Sequence, residues 1–115
     1  MKRFESRAQS AQLQCLCDQY ADALCGGDIF EMKTISGDMV KQVRAAIGQL
    51  YHYMFIHRNV PGYGLPRLYA VFDKEIASDL VQHLVERARI GVIWTIGNQF
   101  DADPETRARL PWLFS

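Results

Sequence analysis

No stretch of this 115-residue chain stays apolar long enough to cross a bilayer, and no apolar signal core follows the basic start Met1-Lys2-Arg3. The expectation is a soluble protein of the cytoplasm. Neither sign of charge is in excess, with 13 Lys+Arg against 13 Asp+Glu and a net charge of zero. That excludes the strong, salt-sensitive hold on nucleic acid of a very basic chain, although a local basic patch survives such a sum. No Cys-x-x-Cys pair occurs. The three cysteines, Cys15, Cys17 and Cys25, are odd in number and have no histidine at ligand spacing. They read as core thiols in a reducing compartment and not as a metal site. His52, His57 and His83 share no spacing suited to a metal or a triad. Internal repeats and low-complexity segments are also lacking. Gly62, Gly64, Gly91 and Gly97 do not assemble into a phosphate-cradling fingerprint.

What is present is the composition of an ordinary globular domain, 49% hydrophobic and 23% charged. The length fits one domain, residues 1–115. Leu13, Leu16, Tyr20 and Leu24 make an apolar stripe that predicts a helix over 4–24, stopped by Gly26-Gly27. Asp28 to Ile35 reads as a strand. Ser36-Gly37-Asp38 then forms a turn able to cap the clearest helix, 39–57, with Val40, Val43, Ile47, Leu50 and Met54 on one side and Tyr51 beside them. Two prolines and two glycines make 59–66 a loop. A short strand at 68–72, a helix marked by Ile76, Leu80, Leu84 and Ala88, and a strand at 90–96 follow. The tail, 98–115, begins polar. It has a helix start at Asp103-Pro104-Glu105 and ends in Leu110-Pro111-Trp112-Leu113-Phe114, which should dock on the body. The order α-β-α-β-α-β predicts an α/β fold: a small, largely parallel sheet flanked by helices in a three-layer arrangement.

The chemistry concentrates in Asp28-Ile29-Phe30-Glu31-Met32-Lys33-Thr34-Ile35. Strand alternation sends Glu31 and Lys33 to one face and Asp28 to the other. A carboxylate and an amine side by side suit metal-assisted hydrolysis of a phosphodiester. The acid would help hold Mg²⁺, and the lysine would orient water and offset transition-state charge. The bland alternative is a solvated edge strand with an exposed ion pair, worth about 0–1 kcal/mol. On the next helix Gln42, Gln49 and Tyr53 recur at i, i+7 and i+11, a polar stripe bordering the apolar one and able to reach the same cleft. Lys41, Arg44, Arg58 and Arg67 offer either a patch for phosphates or a solvated face.

A strand bearing Glu31-Met32-Lys33, followed by a helix bearing Gln49-Leu50-Tyr51-His52-Tyr53, resembles the RecB-type branch of the PD-(D/E)XK nuclease superfamily. The resemblance covers about residues 28–53. It implies a restriction-endonuclease-like core, Mg²⁺-dependent hydrolysis and a DNA substrate. Glu31 and Lys33 would be catalytic, Glu31 a metal ligand, and Gln42, Arg44, Gln49 and Tyr53 would position substrate. The superfamily core runs α-β-β-β-α-β, with a metal-binding Asp on the strand before the Glu-x-Lys strand. Only Gly26-Gly27 separates the expected first helix from that strand, so the usual first strands are expected to be missing. Asp28 is then the nearest second metal acid, with Asp18 and Asp22 as alternatives. A catalytically inactive scaffold, acting as a binding or assembly module, is the other reading. A three-stranded sheet with an open edge would favour a homodimer.

Overall fold

Two glycines decide how the sheet begins. Gly26 and Gly27 have φ of 60° and 85°, the pair of positive values that a two-residue hairpin turn of the I′ type requires. They join strand β2 (Ala23–Cys25) to strand β3 (Asp28–Lys33), with Cys25 opposite Asp28 and Ala23 opposite Phe30. A further strand, β1 (Cys15–Leu16), pairs antiparallel with β2. The computed structural model describes residues 4, 7, 15–16, 23–57 and 66–114. Phe4 and Arg7 are helical, but the helix expected to run on to residue 24 gives way to these two strands. Its apolar stripe was compatible with helix. The glycine turn and the pairing partner on β3 outweigh that local pattern. Cys25 is also not a free core thiol, because it is disulfide-bonded.

After β3 the chain makes two crossovers. Helix α1 (Met39–His57) leads to β4 (Leu68–Phe72), parallel to β3. Helix α2 (Ser78–His83) continues as a five-residue π-helical stretch, Leu84–Ala88, and leads to β5 (Ile90–Ile96), parallel to β4. A turn at Gly97-Asn98 then adds an antiparallel strand, β6 (Gln99–Ala102), a strand that the polar character of this segment hid. Short helices α3 (Pro104–Arg109) and α4 (Pro111–Phe114) close the chain. The result is one mixed sheet of six strands in chain order, not three. The open three-stranded sheet that would have favoured a homodimer is therefore absent.

The sheet has two different faces. One packs Ile29, Leu68, Ala70, Phe72, Ile90, Val92 and Trp94 against Val43, Ala46 and Leu50 of α1 and Leu84 beyond α2. The other packs Phe30, Tyr69, Val71 and Ile93 against Phe4, Leu110 and Leu113, so the apolar tail docks as expected. Consecutive parallel strands in chain order leave both crossover helices on the same face, and the termini cover the other.

Local chemistry explains the helix ends. Asp38 accepts a hydrogen bond from Lys41 N (3.2 Å) at the start of α1, the capping role that its turn suggested. Asp103 is 5% exposed and caps α3 ahead of Pro104. Its carboxylate accepts from Thr106 N (3.1 Å), Thr106 Oγ1 (2.6 Å) and Val92 N (2.8 Å), tying the tail to β5.

Candidate functional site

Glu31 lies in the middle of β3, paired with β4 and one residue past the β2 pairing, and is 3% exposed. It is an interior position and not the solvated edge that the bland alternative required. Its register partner on β4 is Ala70. Lys33, two residues on, is half-buried opposite Phe72. Ile29, Ala70 and Phe72 belong to the core under α1, so strand parity directs Glu31 and Lys33 to that face as well.

The buried stripe of α1 is rotated from the one read in the sequence. Ala46 is 0% exposed and Val40 47%. The helix therefore turns Val43, Ala46 and Leu50 to the sheet, with Tyr53 partly buried against the same core. Gln49 is half-buried and its Oε1 has no hydrogen-bond donor among the described residues. Glu31, Lys33, Gln49 and Tyr53 thus share one layer of the molecule. Gln42 does not join them. Its side chain accepts from Ser36 N (2.9 Å) and donates to Ser36 Oγ (3.4 Å), bracing the turn before α1. Arg44 is exposed, on the same helix.

Asp28 is on the opposite face from Glu31, as alternation predicts. Its Oδ1 accepts from Arg67 N (3.0 Å), which joins the starts of β3 and β4. Burial pushes its carboxyl above the ordinary range, opposed by that hydrogen bond and by the charges of Arg67 and Arg109. The role of second metal acid beside Glu31 does not fit this position. Asp18 and Asp22 lie outside the described residues. Among the described residues no group of three or more His, Cys, Asp or Glu side chains is placed to hold a metal.

A cavity of about 200 Å³ at the C-terminal ends of the parallel strands is lined by Lys33, Asp73 and Thr95 together with Phe4, Met32 and Phe100, so it opens toward the tail-side core and not toward Glu31. Asp73 organises its wall. Its Oδ1 accepts from Ile35 N (2.8 Å), its N donates to Lys33 O (3.3 Å), and its carbonyl accepts from Thr95 Oγ1 (2.8 Å). One residue therefore links the ends of β3, β4 and β5. The sequence reading missed it, although a polar residue directly after an apolar parallel strand is where α/β sheets hold ligands. Comparisons with family models, curated proteins and solved structures find no match to this chain.

Proposed function

We propose that this domain is a metal-dependent nuclease acting on DNA, with Glu31 and Lys33 at the centre of its site. One observation carries the reading. Two antiparallel strands precede the Glu-x-Lys strand, and a helix and a parallel strand follow it, in the β-β-β-α-β order of the nuclease core it resembles. Strands β1 and β2 supply two strands ahead of the Glu-x-Lys strand, which supports that reading.

The described residues supply one carboxylate at this face, too few for an Mg²⁺ site. The proposal therefore requires a second. Ala23 pairs with Phe30, and the next residue outward on each strand is an acid, Asp22 before Ala23 and Glu31 after Phe30. Asp22 itself lies outside the described residues, and the reading requires its carboxylate to reach Glu31. Asp22 replaces Asp28 as the proposed second ligand. When bound, Mg²⁺ would polarise the scissile phosphate and neutralise its charge. Lys33 would orient the attacking water and offset charge developing on phosphorus. Gln49 and Tyr53 would hold the lysine or the substrate.

Plasmid and single-strand cleavage with Mg²⁺, with metal binding measured by calorimetry on the same samples, tests the reading. Glu31→Gln, Asp22→Asn and Lys33→Ala should each lower cleavage by roughly a hundredfold or more. The two acid variants should also lose Mg²⁺ binding, and Lys33→Ala should keep it. A wild-type protein that neither binds Mg²⁺ nor cleaves would leave the scaffold as a binding module without chemistry.

A further inference from the structure

At the opposite end of the parallel strands, where β4 and β5 begin, lies a cavity of about 330 Å³ that the nuclease reading does not use. Arg67, Arg89 and Arg109 line it from three different elements: the approach to β4, the junction of the π-helical stretch with β5, and α3. Glu105 pairs with Arg109 (2.5 Å), and Asp103 is occupied by its own three hydrogen bonds. Asp28 offsets part of the charge of Arg67. Arg89 has no ion-pair partner among the described residues. Tyr51, Met54 and Val85 give the cavity an apolar wall beside this positive one.

The backbone at Arg89 is a second, independent sign. Its φ of 59° and ψ of 42° are left-handed, and its N–H closes the helix on Leu84 O. Glycine is the usual occupant of such a helix end, and a side chain with Cβ is disfavoured there. The five-residue π-helical stretch just before it departs from α geometry, a feature often found at functional positions. Tyr51 Oη donates to Ala88 O, holding the last helical carbonyl in place. A long cation is thus kept where the backbone would prefer none, in a spot fixed from two sides.

We propose that this cavity binds a small phosphate-bearing organic molecule, its phosphate between Arg67, Arg89 and Arg109 and its organic part against Tyr51, Met54 and Val85. Guanidinium forks match phosphate oxygens in pairs, and the volume exceeds what inorganic phosphate alone fills. The site is independent of Glu31 and Lys33 and stands or falls apart from nuclease activity.

Calorimetry on the full chain with adenosine monophosphate, inorganic phosphate, adenosine and succinate tests it, alongside the Arg89→Gly and Arg67→Gln variants. The monophosphate should bind more tightly than inorganic phosphate, and adenosine and succinate should bind far more weakly than either. Arg89→Gly should weaken monophosphate binding by roughly tenfold or more. The same variant should melt at a higher temperature than wild type, because glycine relieves the left-handed backbone. Loss of binding in a better-folded protein separates a ligand contact from a structural one. Equal binding of succinate, no binding of the monophosphate, or unchanged binding in both variants would overturn the proposal.

Discussion

The two faces of the sheet use a buried carboxylate in opposite ways. On the face covered by the tail, Asp103 spends its oxygens on Val92 N, Thr106 N and Thr106 Oγ1, and so fastens α3 to β5. On the face covered by α1, Glu31 sits in mid-strand, opposite Ala70 of β4 and one residue past the last β2 partner, Phe30, with no helix start for it to cap. Equal burial therefore does not mean an equal role. An acid at a helix start stabilises a fold through hydrogen bonds that folding itself needs. An acid in the centre of a sheet carries a desolvation cost of several kcal/mol that its surroundings must offset.

The packed tail face also contrasts with the exposed side of α1, and the largest effect should come from there. A Cβ at Gly91 would lie 2.4 Å from Thr106 Oγ1 and 2.5 Å from the Tyr69 ring, which itself stacks on Phe30 at 5.0 Å. Gly91→Ala should cost about 3 kcal/mol in urea unfolding, through overpacking and displacement of the Asp103 network. A Cβ at Gly48, on α1, meets nothing within 4 Å. Gly48→Ala should raise stability by roughly 0.5–1 kcal/mol, from helix propensity alone. The same substitution thus has opposite signs on the two sides. Equal effects would mean that the tail face is loosely packed after all.

A smaller effect separates the two carboxylates. Asp103→Asn puts an amide nitrogen where an oxygen accepts from an N–H or a hydroxyl, so at least one bond is lost at a cost of about 2 kcal/mol. Glu31→Gln, the same one-atom change, removes a buried charge and should not lower stability, while cleavage falls by roughly a hundredfold or more. A Glu31 variant that unfolds as readily as the Asp103 variant would place Glu31 among the structural acids, and the nuclease reading would lose its centre.

Much of this was legible in residues 28–57 and 68–109. The alternation that put Glu31 and Lys33 on one face and Asp28 on the other holds, and so do the caps at Asp38 and Asp103, the latter followed by Pro104. Two kinds of feature were not legible. Strands β1, β2 and β6 are two to four residues long, too short for a period to emerge, and each owes its existence to a partner strand. The rotation of α1 was hidden because Val40 is more hydrophobic than Ala46, yet the smaller side chain is the one the sheet admits. Gln42 has the right spacing for the site but is claimed by Ser36, a local competition that periodicity does not register.

The smallest predicted effect concerns Asp28, at the other end of β3 from Lys33. Burial raises its carboxyl above the ordinary value, and the Arg67 hydrogen bond and the Arg67 and Arg109 charges do not fully offset this. A carboxyl raised on folding binds its proton more tightly in the folded chain. Its contribution to stability is complete below the unfolded value, near 3.8, and is lost as pH rises through the folded value. At neutral pH the ionised group is therefore a mild burden. Asp28→Asn keeps an oxygen for Arg67 N and removes the charge, so its melting temperature should lie slightly above wild type at pH 7. The gap should close as pH falls below about 4. A variant less stable than wild type at pH 7 would mean that attraction to Arg67 and Arg109 outweighs burial. Asp28 would then belong with Asp103, as an acid the fold depends on.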